Sequence, residues 1–264
     1  MTVLELVLFG DPVDHSLSPI IQQAGLDAAG LAGTYRAVRV DEAGFRRGCS
    51  ELRAGLWQGA NVTMPHKRLA FEEMDIRSRG AERAGSVNTI VLEGSRLSGH
   101  STDIEGIQHV WHEAGLPRDV PVLVLGAGGA AAAALIAIES DEIFISARRF
   151  EQAADLAEAV DVEVHPLRWG REVPGAVIVN ATPLGMAGES LPSGIMRSSG
   201  GLLDMAYTRG DTQAVHEARR LGLPHVSGTE VLLAQATASF TLWTGLPAPT
   251  EQMRIALQKA QATA

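Results

Sequence analysis

The segment that most constrains the fold is the glycine-rich stretch VLVLGAGGAAAAALIAI, which begins at Val122. An apolar run of strand length leads into Gly126 and Gly128, and a helix-like run that includes Ala131 follows. In this G-x-G-x-x-G/A pattern, glycine permits the tight turn and lets backbone N–H groups approach a pyrophosphate at the helix N-terminus. The pattern predicts a dinucleotide-binding unit, with a tight turn that serves close packing alone as the alternative.

The end of the next predicted strand bears on the choice of dinucleotide. The strand EIFISARR ends in Arg148 and Arg149, where NAD-binding proteins usually place Asp or Glu for the ribose 2′-hydroxyl. Guanidinium groups would bind a 2′-phosphate, whereas a carboxylate would repel it. The sequence therefore favours NADP over NAD, and a solvated strand end is the alternative interpretation of the two arginines.

Strand-like and helix-like segments alternate on both sides of the glycine turn. Before it, strands are predicted at VLELVLFG, TYRAVRV and GANVT, and helices from Ser18 and over 41–53. A hairpin is predicted at VNTIVLEGSRLSGHSTD. After Pro121 a second alternating series forms a complete doubly wound unit. This alternation predicts an α/β fold with mostly parallel sheets, divided near the helix that follows Asp103. Periodicity leaves open which half the final helix packs against.

Composition narrows the class of protein. The chain has 264 residues, of which 45% are hydrophobic, and a formal net charge of −9, so a broad nucleic-acid-binding surface is not expected. Its single cysteine, Cys49, excludes an intrachain disulfide and cysteine-based zinc sites. The start lacks the features of a signal peptide, and no run approaches the roughly 18 apolar residues of a membrane-spanning helix. We expect a cytoplasmic protein with no metal and no membrane or nucleic-acid partner.

The stretch NVTMPHK places two polar residues and a cation at a strand-to-helix junction. Asn61 and Thr63 close the predicted strand, Pro65 is expected at the first helical position, and Lys67 falls in the first turn. A charge near the core is costly unless it is paired, although an isolated lysine of this kind usually lies on a helix surface. Lys67 is therefore a candidate functional residue.

Seven short motifs occur in one order along the chain: HSLSP at His15, NVTMPHK at Asn61, SVNTI at Ser86, STD at Ser101, NATPLGM at Asn180, DMAY at Asp204 and LLAQATASFTLWTG at Leu232. Together they resemble the shikimate dehydrogenase family, from about Gly10 to about Gly245. The resemblance implies NADP-dependent, reversible reduction of 3-dehydroshikimate to shikimate in aromatic amino acid biosynthesis, by a monomer or homodimer. It also implies two domains: an α/β substrate domain of residues 1–103 plus 235–264, and a Rossmann-type doubly wound NADP-binding domain of residues 104–234. The substrate domain has two segments because the last helices of the chain return to it.

The resemblance also implies a role for each motif residue. Lys67 and Asp103 would be catalytic, with the carboxylate of Asp103 offsetting the cost of the lysine charge. Ser16 and Ser18 would bind the substrate carboxylate, and the remaining substrate-binding residues would be Asn61, Thr63, Asn88, Tyr207 and Gln235. The cofactor-binding residues would be Gly126, Ala127, Gly128, Gly129, Ala130, Arg148, Arg149, Asn180, Thr182, Met186 and Gly228. Taken singly, several have structural alternatives, among them helix N-caps at Ser18 and Asp103.

Some positions depart from the family pattern. Where the family usually has Asn before the Thr-Asp pair, this chain has Ser101, and where the glycine turn usually continues with Ser-Arg, it has Ala131 and Ala132. The residue before the lysine, usually aromatic or aliphatic, is His66 here. In place of Asn-Arg-Thr after the next strand, the chain has ARR at Ala147. Arg149 is expected to replace the lost arginine. A quinate or aminoshikimate dehydrogenase is the alternative function, although the two serines of SLSP favour shikimate over bulkier quinate. A catalytically silent NADP-binding sensor is a third hypothesis.

Overall fold

A computed structural model describes residues 3–208 and 210–262 of the chain. The chain divides into two compact units, Met1–Thr102 together with Gln235–Ala264, and Asp103–Ala234. The predicted α/β class is confirmed, because each unit contains one sheet with helices between its strands. The substrate and NADP roles of the two units stay predictions here, and the predicted outer bounds, residues 1 and 264, lie outside the described residues.

The N-terminal part of the first unit alternates strands and helices and contains the predicted hairpin. Its elements are β1 (Leu4–Gly10), α1 (Ser18–Ala28), β2 (Gly33–Arg39), α2 (Glu42–Arg53), β3 (Gly59–Val62), α3 (Lys67–Glu73), β4 (Ile76–Arg77), α4 (Arg79–Ala84), β5 (Thr89–Glu93) and β6 (Arg96–His100). Within the described residues they form one sheet of order β2-β1-β3-β5-β6-β4. It is mixed, because β1 pairs in parallel with β2 and β3, whereas β5 pairs antiparallel with β3 and β6.

One local prediction in this unit is wrong. Helix α3 begins at Lys67 and not at Pro65, because the N–H of His66 donates to the carbonyl of Thr63 at 3.0 Å and closes a turn before the helix; the Met64–Pro65 peptide bond is cis. Helix α1 begins at Ser18, as predicted, and its N-cap is Leu17, so Ser18 is not the N-cap that was the structural alternative. The short elements β4 and α4 were not predicted, since two or six residues are too few to show a period.

The second unit is the predicted doubly wound unit. Its elements are α5 (Thr102–Glu113), which starts at the unit boundary, β7 (Val122–Leu125), α6 (Gly129–Ala137), β8 (Ile143–Ala147), α7 (Phe150–Ala159), β9 (His165–Arg168), β10 (Val177–Asn180), β11 (Gly201–Asp204), α8 (Gln213–Arg220) and β12 (His225–Val226). The described strands form one sheet of order β12-β11-β10-β7-β8-β9, parallel throughout. The chain order reverses between β7 and β10, which is where such sheets bind ligands at their carboxyl edge.

Two further helices complete the chain, α9 (Gly228–Thr244) and α10 (Thr250–Ala262). Both pack on α1, because a methyl group placed on Gly25 would lie 3.1 Å from Phe240 of α9 and 3.3 Å from Met253 of α10. Glycine at this position therefore lets the three helices approach closely. The C-terminal helices belong to the first unit from Gln235 onward, which settles where the final helix packs.

Candidate active site

The adjacent carboxyl ends of β1 and β3 fix the position of Thr63. The N–H of Thr63 donates to the carbonyl of Phe9 at 2.9 Å, so the chain stays on the sheet for one residue beyond β3. A Cβ at Gly10, the last residue of β1, would collide with the methyl group of Thr63. Glycine at the end of β1 thus leaves room for the predicted substrate-binding threonine.

Lys67 is held through its neighbours. It is half-buried as the first residue of α3, and its carbonyl accepts the N–H of Val87 at 3.0 Å, which ties the helix start to the segment leading into Asn88. The preceding His66 is buried, with Nε2 at 2.8 Å from the carbonyl of Val40 and its ring stacked on Phe45 at 5.5 Å. His66 therefore does the packing expected of the aromatic residue that the family usually has there, and adds a hydrogen bond that anchors the start of α3.

Asn61 lies within a hydrogen-bonded network of the first unit. Its Oδ1 accepts from the hydroxyl of Tyr35 at 2.8 Å. Its Nδ2 lies within donating distance of the carbonyl of Asn88 at 3.1 Å, Thr89 Oγ1 at 3.0 Å and Ser239 Oγ at 3.0 Å. Both ends of the amide are thus engaged by protein groups, and a direct contact of Asn61 with substrate stays a prediction.

The amide oxygen of Asn88 faces the start of α5. It accepts from the N–H of Thr102 at 2.8 Å and from the Thr102 hydroxyl at 3.1 Å, and Thr89 Oγ1 lies 3.3 Å away. Asn88 itself is 6% exposed. These contacts distinguish the two ends of the amide, since only the oxygen can accept them.

Ser16, Ser18 and Gln235 lie on other elements of the same unit. Ser16 Oγ accepts the N–H of Ser18 at 3.2 Å, so the two serines share one turn at the start of α1. Gln235 is half-buried in α9, where its carbonyl accepts from the hydroxyl of Ser239 at 3.0 Å. Next to it, the side chain of Gln22 donates to the carbonyl of Ala236 at 3.0 Å and fixes α9 against α1.

The glycine turn of the second unit has the geometry that the pattern predicts. Gly126 has φ +114°, and a Cβ there would lie 2.7 Å from the carbonyl oxygen of Ala181, so both conformation and space require glycine. Gly128 is the N-cap of α6 and makes no side-chain hydrogen bond, which leaves first-turn N–H groups for a ligand. The predicted cofactor residues of this turn are Gly126, Ala127, Gly128, Gly129 and Ala130. Arg148 and Arg149 are exposed just after β8, the strand beside β7.

The NATPLGM segment is folded by its own asparagine. Asn180 Oδ1 accepts from the N–H of Thr182 at 3.2 Å and from its hydroxyl at 2.6 Å, while Nδ2 donates to the carbonyl of Leu184 at 3.0 Å. The exposed Met186 follows in the same loop. Because Ala181 lies against Gly126, this loop and the glycine turn are adjacent at the carboxyl edge of the second sheet.

Asp204 holds this edge together and was given no role from the sequence. It is fully buried at the end of β11, opposite Asn180 in the strand register. Its carboxylate accepts from Asn180 Nδ2 at 2.8 Å, from the N–H of Ala206 at 3.0 Å and from the hydroxyl of Thr212, the N-cap of α8. Burial raises the pKa of Asp204 to about 6, although these hydrogen bonds act in the opposite direction.

Tyr207 and Gly228 lie together beside this carboxylate cluster. A Cβ at Gly228 would lie 3.0 Å from Cβ of Tyr207, so glycine lets the start of α9 approach the chain after β11. Residues around them line a small depression: Ala206, Tyr207, Thr212, Ser227, Gly228 and Thr229. Asp103 is buried in the first turn of α5 and, with Tyr207, belongs to the second unit, whereas Lys67 and Gln235 belong to the first.

Over residues 3–208 and 210–262, no three His, Cys, Asp or Glu side chains are grouped as a metal site would require. Over the same residues, every helix is too short or too polar to cross a membrane.

Two family models match separate parts of the chain. Residues 8–90 match the family model of the shikimate dehydrogenase substrate binding domain, and residues 228–258 match that of the shikimate 5'-dehydrogenase C-terminal domain. The shikimate dehydrogenase (NADP(+)) of Thermus thermophilus is 34% identical over 98% of this chain and 99% of its own length. The enzyme of that name from Moorella thermoacetica is 36% identical over 97% of this chain and 92% of its own.

A solved structure gives the same result in three dimensions. Shikimate 5-dehydrogenase from Thermus thermophilus, crystallised with NADP(H) and shikimate, superposes with a TM-score of 0.85 at 31% identity, covering 97% of this chain and 99% of that one. Fold and glycine turn define an α/β protein of the dinucleotide-binding kind, and the relatives make it an oxidoreductase. Within that class, the chain belongs to the shikimate dehydrogenase family.

Proposed function

We propose that this protein catalyses the reversible, NADP-dependent reduction of 3-dehydroshikimate to shikimate. The observation that carries the proposal is the similarity to enzymes of that name over nearly the whole length of both chains. The ordered motifs support it, because each contributes a side chain suited to a small, oxygen-rich carboxylate or to a dinucleotide.

The first unit is proposed to bind the substrate. Ser16 and Ser18, which share one turn, would donate to its carboxylate. Thr63, Asn88 and Gln235 would bind ring oxygens, and Tyr207, which belongs to the second unit, is proposed as a further substrate-binding residue. Local geometry supports the proposed roles of Thr63 and Asn88. Gly10 leaves room for the Thr63 side chain, and the N–H of Thr102 orients the Asn88 amide.

The second unit is proposed to bind NADP. The residues fit the cofactor: Gly126 permits close approach, the start of α6 carries first-turn N–H groups without a side-chain cap, and two exposed arginines follow β8. Asn180, Thr182, Met186 and Gly228 would line the nicotinamide end. Bound NADPH supplies the hydride for the substrate carbonyl carbon.

Lys67 is proposed as the catalytic group. Its ammonium would stabilise the negative charge that develops on the substrate oxygen and donate the proton that makes it a hydroxyl; in the oxidative direction the neutral amine would accept that proton. Asp103 would hold the lysine side chain and offset the cost of its charge. We place this activity in the cytoplasm, in keeping with the single cysteine, and propose a monomer or homodimer.

A substrate-by-cofactor matrix tests the function. The purified protein is assayed with shikimate, quinate and an aminoshikimate, each with NADP and with NAD. We expect the highest kcat/KM for shikimate with NADP. Higher efficiency with quinate or the amino compound would overturn the substrate assignment, and NADPH binding without turnover on any of them would identify a silent sensor.

A further inference from the structure

Five neutral polar residues form one network inside the first unit, which we call the Ser239 network: Asn61, Asn88, Thr89, Thr102 and Ser239. Thr89 and Thr102 are fully buried, and Ser239 is 1% exposed. Asn88 is the member whose proposed substrate role depends on which end of its amide the network holds. The directions of the hydrogen bonds decide that question.

The hydrogens of the network can be assigned from its acceptors. Ser239 Oγ donates to the carbonyl of Gln235 at 3.0 Å, so toward its other neighbours this oxygen acts as an acceptor. Thr89 Oγ1 is the nearest hydroxyl to it, at 2.9 Å, while Thr102 Oγ1 is at 3.2 Å. The Thr102 hydroxyl lies 3.0 Å from Thr89 Oγ1 and 3.1 Å from Asn88 Oδ1. Since an amide oxygen only accepts, whereas the Thr89 hydroxyl can also donate, we assign the Thr102 hydrogen to Asn88 Oδ1.

The Asn88 oxygen thus receives two hydrogens from one residue, the N–H and the O–H of Thr102. Rotating the amide by half a turn would bring its NH₂ group against these two donors and leave them unsatisfied in a buried site, which is unfavourable. In the proposed substrate contact, Asn88 would therefore use its nitrogen, which carries two hydrogens and donates only.

We propose that Thr102 and Ser239 are positioning residues that hold the Asn88 amide as a hydrogen-bond donor to the substrate. The site then selects an oxygen at that ring position over an ammonium group, which has no lone pair to accept. This inference rests on the proposed function and adds to it a reason for hydroxylated over aminated substrates. Ser239 accepts the hydrogen of Thr89, the residue after Asn88, and donates its own to the carbonyl of Gln235, so the segments that carry two proposed substrate contacts share one support.

The first test compares two changes at Thr102. Thr102→Val keeps the shape and removes the hydroxyl, whereas Thr102→Ser keeps the hydroxyl. We expect Thr102→Val to raise the shikimate KM about tenfold or more and leave the NADP KM within about twofold, the size of effect typical of one lost hydrogen bond. Thr102→Ser should stay within about threefold of the parent. Equal effects of the two variants would overturn the role of the hydroxyl.

A double-mutant cycle shows whether Thr102 acts through Asn88. In an Asn88→Ala background, Thr102→Val should add little to the shikimate KM, because the group that it orients is gone. Full additivity would overturn the proposal.

A variant at the other end of the network tests Ser239. Ser239→Ala should raise the shikimate KM. The control, Thr241→Val, removes an exposed hydroxyl bonded to a carbonyl of the same helix and should leave the shikimate KM unchanged. Equal effects of these two variants would remove Ser239 from the mechanism.

The third test reverses the polarity of the site and does not depend on Thr102 variants folding. Asn88→Asp keeps an oxygen toward Thr102 and places a second oxygen, an acceptor, toward the substrate. Against shikimate analogues with an amino group at each ring hydroxyl in turn, the ratio of shikimate to amino-analogue kcat/KM should fall at least about tenfold for one of them. An unchanged ratio for every analogue would contradict the inference. Activity of the parent on shikimate with NADP, measured in the same assay, separates this outcome from failure of the proposed function.

Discussion

Two buried polar clusters, one in each unit, support the two proposed ligand sites by different chemistry. The Ser239 network consists of amides and hydroxyls alone. The cluster of the second unit is centred on a carboxylate, Asp204, which accepts from Asn180, Ala206 and Thr212. Both include the terminal residue of a strand, since Thr89 begins β5 and Asp204 ends β11. At such a position, backbone groups beyond the strand need partners as well.

The two clusters are expected to respond differently to pH. Hydroxyls donate and accept, so the neutral network can be satisfied in one arrangement at every ordinary pH. A carboxylate only accepts, and its protonation adds a donor where three donors already point. The orientation of Asn88 should therefore be independent of pH, whereas the segments tied together by Asp204 should respond to pH near 6.

The largest expected effect is on kcat, and it follows from removing the charge of Lys67, the proposed catalytic residue of the first unit. Lys67→Met keeps much of the side-chain length and removes the charge. We expect kcat for shikimate oxidation to fall by roughly two to four orders of magnitude, with a much smaller change in shikimate affinity, because the ammonium acts mainly in the transition state. Steady-state kinetics and direct binding titration measure the two quantities.

The matched control for that variant is the next residue. Arg68→Met removes a cation whose side chain is 88% exposed and lies 3.6 Å from Glu72, so it should leave kcat nearly unchanged. A folded Lys67→Met protein that binds shikimate and turns over within about threefold of the parent would contradict the proposed role.

A pH scan of stability tests the contrast between the clusters directly. The folded-state pKa of Asp204 is raised from 3.8 to about 6, so its contribution to stability is full below pH 3.8 and is lost as pH rises through about 6. A shift of that size corresponds to about 3 kcal/mol in the free energy of unfolding. Asp204→Asn cannot titrate, so the difference in unfolding free energy between parent and variant should change by most of this amount between about pH 4 and about pH 8. Urea denaturation at each pH gives the values.

Ser239→Ala is the comparison variant in the same scan. Loss of a buried hydroxyl from the neutral network should lower the free energy of unfolding by about 1–3 kcal/mol, to the same extent at every pH. The distinction between the two clusters would fail if the difference in unfolding free energy between parent and Asp204→Asn did not change with pH. It would also fail if the difference between parent and Ser239→Ala changed over the same pH range.

The sequence predicted the long elements and the ordered motifs because their signals are local. The run VLVL before Gly126 and the alanine-rich run after it identify β7 and α6 without any knowledge of the rest of the chain. The two-residue strands β4 and β12 carry no such signal, and they form only because a neighbouring strand presents a free edge to them.

The supporting residues could not be found in that way, since their contacts are distant in sequence. Ser239 meets Asn61 across 178 positions, and in the sequence it is one small residue within an apolar helix. Asp204 was visible in the DMAY motif, and an acidic residue closing the apolar run GLL is a signal that could have pointed to a buried carboxylate. Its role depends on Thr212, whose position follows from the fold.

The smallest expected effect concerns cofactor choice, which lies in the second unit and outside both buried clusters. If the exposed Arg148 and Arg149 bind the 2′-phosphate, the parent should use NADP at least tenfold more efficiently than NAD, which corresponds to about 1.4 kcal/mol. Replacing both with Ala should remove most of this preference through the NADP KM, leaving kcat and the shikimate KM almost unchanged, because the phosphate lies away from the reacting atoms. The pair Arg118→Ala with Arg171→Ala, two exposed arginines elsewhere in the same unit, removes the same charge and should retain the preference. Kinetics with both cofactors at several salt concentrations would distinguish a local contact from a general loss of positive charge. Equal efficiency of the parent with NADP and NAD, or equal losses in the two double variants, would show that these arginines do not select the cofactor.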